Sequence, residues 1–134
     1  MWAATDPLAG PTTRIYSYGP CGTCRKALAW LQQQQISAEL IDISQTPPSR
    51  ELLAAALSQL GSRSRLFNTS GQSYRSLGAE RVRSMDDAAA LDALANDGKL
   101  IKRPLLITAE GRITTGFRVE EWLELLKPGA EPGG

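Results

Sequence analysis

The stretch that decides the fold is residues 14–31, which read RIYSYGPCGTCRKALAWL. An apolar, strand-prone segment leads into a Gly-Pro breaker, two cysteines and then a helical pattern. The thiols of Cys21 and Cys24 are therefore expected at a strand-to-helix junction. Free backbone N–H groups and the helix dipole favour a thiolate there, and we expect Arg25 and Lys26 to add positive charge.

The composition predicts one soluble domain with a single core, because the chain has 134 residues of which 42% are hydrophobic. A net charge of +1 argues against non-specific coating of nucleic acid, which needs many phosphate contacts. The chain contains no histidine, which excludes a Cys-His nucleophile pair and a histidine-bearing metal centre. Two cysteines cannot complete a four-ligand zinc site alone, so we expect no metal and no bound cofactor.

The sequence shows neither a signal-peptide pattern nor an apolar window of membrane-spanning length. We therefore expect a cytoplasmic protein without a membrane partner. In that compartment a Cys-x-x-Cys pair is more often redox-active than a permanent structural bridge.

The chain is predicted to form one domain over residues 14–127. Residues 1–13 are expected to be a flexible leader, and residues 128–134 a disordered tail. The sequence from about residue 62 to residue 98 shows no strand pattern, which predicts an all-helical insertion. Within it, residues 84–87 resemble a capping box that would start a helix.

The first half of the domain predicts a strand, a helix, a second strand and a second helix. The second strand is expected over residues 38–43, and the second helix from Arg50, with Ser49 as its N-cap and Gly61 at its end. A strand–helix–strand unit of this length favours a parallel strand pair. The first helix is expected to bury one face, made of Cys24, Ala27, Leu28 and Leu31.

The second half predicts an antiparallel hairpin, with strands over residues 105–108 and 112–115. A final helix is expected to bury Val119, Trp122, Leu123 and Leu126. This order of elements is similar to that of a thioredoxin-like α/β fold, with a four-stranded mixed sheet and the insertion between the second and third strands. The analogy implies a proline, often cis, that faces the cysteines ahead of the third strand, and Pro104 occupies that position.

Several short motifs occur in a fixed order along the chain, at residues 18–27, 46–50, 67–69, 74–78, 100–105 and 116–117. On these motifs the chain resembles the arsenate reductase-like (ArsC) branch of the thioredoxin fold. Within that branch it resembles the Spx/MgsR group of bacterial regulators. The resemblance covers roughly residues 14–127.

The resemblance to arsenate reductases implies a catalytic role for Cys21, which matches their nucleophile, with glutathione or thioredoxin as the reductant. Those enzymes carry a serine where this chain has Cys24, and Arg103 matches one of the arginines that hold their oxyanion. The positions of the other two arginines hold Asn68 and the pair Gly116-Phe117. Because each charge-assisted hydrogen bond contributes about 1.5 to 3 kcal/mol, their loss implies much weaker oxyanion binding.

The resemblance to Spx-type proteins rests on Cys-x-x-Cys followed by Arg-Lys. It implies a redox-responsive transcriptional regulator whose switch is a Cys21–Cys24 disulfide. Such a regulator binds the C-terminal domain of the RNA polymerase α subunit, without sequence-specific DNA contact of its own, and is reduced by the thioredoxin or glutaredoxin system. This is the leading interpretation. The alternative is a glutathione- or thioredoxin-coupled arsenate reductase-like oxidoreductase.

Basic residues cluster in the insertion, where Glu80 is the one acid between residues 63 and 83. The cluster is either a solvated face or a contact surface for an acidic partner. Arg103 similarly is either a surface cation or a group that stabilises the Cys21 thiolate or a bound anion. The candidate contact residues are Arg63, Arg65, Arg75, Arg81 and Arg83.

Overall fold

The computed structural model describes residues 8–10 and 12–126. The predicted disordered tail over residues 128–134 lies outside these residues, as does most of the predicted leader. Within the leader, the Gly10 N–H donates to the carbonyl of Ala109 at 3.0 Å.

Within residues 8–10 and 12–126, four strands and six α-helices follow in the predicted order. The strands are β1 (Thr13–Ser17), β2 (Ala38–Asp42), β3 (Leu105–Ile107) and β4 (Ile113–Thr115). The helices are α1 (Gly22–Gln33), α2 (Arg50–Leu60), α3 (Gln72–Leu77), α4 (Ala79–Ser84), α5 (Asp87–Asn96) and α6 (Val119–Leu126). Short 3₁₀ turns occupy Arg63–Arg65 and Gly98–Leu100.

The sheet has the strand order β2-β1-β3-β4. β1 and β2 are parallel, with Ile15 opposite Leu40, whereas β3 is antiparallel to both β1 and β4. The predicted four-stranded mixed sheet is therefore confirmed. Leu40 remains 58% exposed because β2 lies at the edge of the sheet.

The core forms two clusters on opposite faces of the sheet, because successive side chains of a strand point to opposite sides. Leu105 and Ile107 of β3 belong to a large cluster built with α2 and α5. Leu106 belongs to a smaller cluster that contains Ile15, Ala27 and Trp122. Helices therefore cover both faces of the sheet. Packing in the smaller cluster holds α1 against the sheet, and the cysteines lie at the start of this helix.

The predicted caps of α2 are confirmed: Ser49 accepts the Leu52 N–H at 3.1 Å, and Gly61 ends the helix with a φ of 81°. The predicted cap of α5 is wrong. Ser84 closes α4 by donating to the Arg81 carbonyl, and Asp86 caps α5 by accepting the Ala89 N–H at 2.9 Å. Two helices meet here, so the cap position depends on where the first one ends.

The predicted buried face of α6 is partly wrong. Val119 is 38% exposed and Leu123 is 41% exposed, while Leu125 and Leu126 pack beside the fully buried Trp122. The insertion contains no strand in the described residues 62–98, as predicted, although Phe67 forms an isolated bridge with Ile101.

Gly98 provides a test of the packing between the insertion and the sheet. A Cβ atom at this position would lie 1.8 Å from the carbonyl oxygen of Ile43, which is backbone and cannot rotate away. We expect Gly98→Ala to lower the free energy of unfolding by about 2 to 3 kcal/mol in urea titration. The control is Gly19→Ala, whose Cβ meets nothing within 4 Å. Equal stability of the two variants would contradict the packing.

Candidate functional site

Cys21 is the N-cap of α1. Its backbone is extended, with φ of −82° and ψ of 118°, and its sulfur accepts the Cys24 N–H at 3.3 Å. The Cys21 N–H donates to the Tyr18 carbonyl at 3.0 Å, which closes the turn between β1 and the helix. The predicted strand-to-helix junction is therefore present, and the helix start presents an N–H group to the thiol.

The two thiols are free and lie in different surroundings. Cys21 is partly exposed, whereas Cys24 is completely buried on the inner face of α1. An external reactant can therefore approach Cys21, and Cys24 lies behind it within the same helical turn.

The environment shifts the two pKa values in opposite directions. Burial raises the pKa of Cys21, but hydrogen bonds from Cys24, the positive charge of Arg103 and the Thr23 backbone outweigh it, so the pKa is lowered. For Cys24, burial and the hydrogen bond and negative charge of Cys21 raise the pKa to about 11. Near neutral pH the pair is therefore a thiolate-prone Cys21 beside a protonated Cys24.

Cys21 opens into a cavity of about 340 Å³. Among the described residues that line it are two cationic side chains, Lys102 and Arg103, and no acidic one. The remaining lining residues are Thr23, Asn68, Ser70, Gly71 and Gly116. The structure thus brings Cys21 and Arg103 together with Asn68 and Gly116, the two positions where the resemblance places missing arginines.

Backbone pairing between distant segments assembles this cavity. The Asn68 N–H donates to the Leu100 carbonyl at 2.8 Å, and the Lys102 N–H donates to the Leu66 carbonyl at 2.7 Å. These bonds hold Asn68 close to Lys102. Lys102 lines the cavity but is not among the site residues predicted from the sequence, although it lies within the motif at residues 100–105.

Arg103 is fixed by three contacts. One guanidinium nitrogen donates to the carbonyls of Lys99 at 3.0 Å and Ile101 at 3.5 Å, and the guanidinium carbon lies 4.6 Å from the centre of the Tyr18 ring. The following peptide bond, to Pro104, is cis. The Pro104 carbonyl then accepts the Gly116 N–H at 2.9 Å, which joins two walls of the cavity.

The expected contribution of Arg25 and Lys26 to the Cys21 thiolate needs correction. The charge that lowers the Cys21 pKa comes from Arg103, on a segment that is distant in sequence. Arg25 is directed elsewhere and donates to the Gly19 carbonyl at 2.9 Å. Both Arg25 and Lys26 lie on the exposed face of α1.

The five candidate contact arginines do not act alike. Arg63 donates to the Met85 carbonyl at 2.9 Å, and Arg65 donates to the Thr114 hydroxyl at 3.1 Å, so both hold parts of the fold together. Arg75 donates to the Ser70 carbonyl at 3.0 Å. Arg81 and Arg83 line a shallow surface hollow together with Glu80 and Ser84. The side chains of Arg75, Arg81 and Arg83 are exposed, whereas those of Arg63 and Arg65 are partly buried.

Metal-ligating clusters and membrane-spanning helices are both absent from the described part of the chain. Residues 8–10 and 12–126 contain no group of three or more Cys, Asp or Glu side chains placed to hold a metal ion. Within the same ranges no helix is long and apolar enough to cross a membrane.

The ArsC family model matches residues 16–125, which include the cysteine turn, the insertion and the Arg103-Pro104 segment. The chain belongs to the ArsC family. Solved structures of similar proteins agree with this assignment. A possible arsenate reductase from Streptococcus mutans is 37% identical, with a TM-score of 0.77 over 84% of this chain and 98% of that one. The predicted thioredoxin-like fold is thereby confirmed.

Curated relatives of this ArsC-family chain carry different names. The uncharacterized protein YusI of Bacillus subtilis is 41% identical over 82% of this chain and 94% of its own length. An arsenate reductase of Escherichia coli is 31% identical, over 72% of this chain and 69% of its own. The global transcriptional regulator Spx of Lactiplantibacillus plantarum is 25% identical, over 80% of each. The relatives therefore include both enzymes and regulators.

The opposite pKa shifts predict different reactivities for the two thiols. With Cys24→Ser, whose hydroxyl can still donate to Cys21, the rate of alkylation by iodoacetamide should level off at a lower pH than that of a cysteine in an unstructured peptide, because the thiolate is the nucleophile. With Cys21→Ser, the rate should stay low at neutral pH and continue to rise at higher pH than in that peptide, because burial raises the pKa of Cys24. Mass spectrometry of quenched samples measures both rates. Faster alkylation of Cys24 at neutral pH would contradict the assignment.

The source of the positive charge can be tested separately. In the Cys24→Ser background, Arg103→Met should lower the alkylation rate at pH 7 about two- to fivefold, because the thiolate loses a nearby cation. Lys26→Met is the matched control, since it removes a cation next to the motif but outside the cavity. If Lys26→Met has the larger effect, the charge comes from the helix and not from Arg103.

Proposed function

We propose that this protein is a thiol–disulfide switch in which Cys21 is the attacking thiol and Cys24 the resolving thiol. The observation that carries the proposal is the asymmetry of the pair, a partly exposed Cys21 with a lowered pKa one helical turn from a buried Cys24 with a raised pKa. An accessible thiolate with a protected partner suits reversible oxidation better than a permanent bridge does.

The oxidation proceeds in two balanced steps with a peroxide as the oxidant. The Cys21 thiolate attacks one peroxide oxygen, the O–O bond breaks, and Cys21 becomes a sulfenic acid while hydroxide leaves. The Cys24 sulfur then attacks the Cys21 sulfur, the S–O bond breaks, and water leaves with the Cys24 proton. Thioredoxin, glutaredoxin or glutathione reverses the change by thiol–disulfide exchange.

The output we propose is regulated binding to the C-terminal domain of the RNA polymerase α subunit, in the cytoplasm. Support comes from the Cys-x-x-Cys-Arg-Lys pattern at residues 21–26 and from relatives named as global transcriptional regulators Spx. Arg81 and Arg83 are exposed cations that suit an acidic partner surface. No direct sequence-specific contact with DNA is part of the proposal.

One observation favours a second candidate function, reduction of an oxyanion such as arsenate. Arg103 and Lys102 give the cavity beside Cys21 a positive charge, and some relatives are named arsenate reductase. Asn68 and Gly116 weigh against it, because neither supplies a charged donor to a doubly charged anion. We therefore rank the enzymatic function second.

Pull-down with the purified C-terminal domain of the α subunit tests the regulatory output. We expect binding to differ at least about fivefold, or about 1 kcal/mol, between the oxidised and dithiothreitol-reduced protein. The difference should vanish in Cys21→Ser and Cys24→Ser, which cannot form the bridge. Arg81→Glu/Arg83→Glu should weaken binding, with Arg112→Glu as the control, since Arg112 is an exposed arginine outside the candidate contact residues. Equal binding of both redox states would overturn this output.

An NADPH-coupled assay with arsenate tests the second candidate, with either the thioredoxin or the glutathione system as reductant. Turnover that is lost in Cys21→Ser and weakened in Arg103→Met would establish an enzyme. No NADPH consumption above the protein-free rate at saturating arsenate would exclude arsenate as the substrate.

A further inference from the structure

Tyr18 contacts the site in a way that its sequence position does not reveal. Its side chain is partly buried against the larger core cluster, and two cationic groups lie over its ring. The Arg103 guanidinium carbon lies 4.6 Å from the ring centre, and the Lys99 ammonium lies 5.8 Å from it. The Tyr18 carbonyl meanwhile accepts the Cys21 N–H at 3.0 Å. Tyr18 therefore touches both the cysteine turn and the cation of the cavity.

We propose that Tyr18 is a positioning residue for Cys21. The aromatic ring of Tyr18 holds the Arg103 guanidinium in the cavity beside the Cys21 thiol. The proposal deepens the proposed function and rests on one part of it, the role of Cys21 as the attacking thiol. It concerns how the thiolate is stabilised and does not depend on which partner or substrate follows.

The geometry of Arg103 explains why a ring is needed. The hydrogen bonds to the Lys99 and Ile101 carbonyls both come from one guanidinium nitrogen, so they hold the group at one end. A planar, weakly hydrated guanidinium stacks on aromatic faces, and contact with the Tyr18 ring restricts the orientation of the rest of the group. Without the ring, the Arg103 guanidinium would sample more orientations in solvent. Its average electrostatic stabilisation of the Cys21 thiolate would then be smaller.

The other charged groups near this contact are few in the described part of the chain. Lys99 shares the Tyr18 ring, Lys102 lines the cavity, and Arg25 donates to Gly19 in the cysteine turn. Cys24 is the second titratable group in contact with Cys21. Of the cations, Arg103 both contacts Tyr18 and lowers the pKa of Cys21, so it is the link between them.

The test measures the pH profile of Cys21 alkylation in full-length protein that carries Cys24→Ser. Tyr18→Leu should shift the profile to higher pH and slow alkylation at pH 7 about two- to threefold, the size expected of a partly exposed cation–π contact. Tyr18→Phe and Tyr18→Trp keep a ring and should retain the parental profile. If both slow alkylation as much as Tyr18→Leu does, the ring is not what matters and the proposal fails.

A double-mutant cycle separates positioning from general damage to the turn. In the Arg103→Met background, Tyr18→Leu should cause no further slowing, because the cation that the ring holds is already absent. An equal slowing with and without Arg103 would overturn the proposal. Should Tyr18→Leu fail to fold by circular dichroism, Tyr18→Met removes the ring in its place, with the same expected slowing and the same comparison in the Arg103→Met background.

These measurements distinguish failure of this proposal from failure of the proposed function. Disulfide formation under peroxide is measured separately, in protein that retains both cysteines. If the bridge forms but the Tyr18 variants leave the profile unchanged, the positioning role alone is overturned. If Cys21 does not react ahead of Cys24, the proposed function fails, and the positioning role fails with it.

Discussion

The hydrogen bond from the Cys24 N–H to the Cys21 sulfur is the interaction on which the site depends. It makes Cys21 the N-cap of α1. The Cys21 sulfur therefore lies at the positive end of the helix dipole, which favours a thiolate. The sheet fixes this arrangement from below, since β1 lies between β2 and β3 and α1 packs on it through Ala27 and Leu31. The fold therefore determines where the reactive sulfur lies.

The difference between the two thiols follows from the pitch of the same helix. Residues three apart share a helix face, so a sulfur at the cap lies beside a sulfur on the first buried turn. Cys21 receives hydrogen bonds and the charge of Arg103, whereas Cys24 is enclosed and receives the negative charge of its neighbour. A shared helical turn thus yields one partly exposed thiol with a lowered pKa and one buried thiol with a raised pKa, without any histidine.

Local patterns predicted most of the fold, because a cap or a hairpin depends on neighbouring residues. Ser49, Gly61 and the strands of the β3–β4 hairpin are of this kind. The sequence favours Ser84 as the cap of α5 because serine and aspartate can both accept N–H groups at a helix start, but in the structure Ser84 donates to the Arg81 carbonyl and Asp86 accepts the Ala89 N–H. The place of Lys102 in the cavity and the contact of Tyr18 with Arg103 depend on segments that are distant in sequence, which periodicity cannot show.

The most direct test of the switch is a redox titration of the Cys21–Cys24 pair in glutathione buffers, read by mass spectrometry of alkylated protein. A reversible two-electron transition with a midpoint at or above the cytosolic poise of about −220 to −320 mV is the predicted result. Absence of an intramolecular disulfide, or a midpoint far below that range, would contradict the account, because the pair would then not change state in the cell.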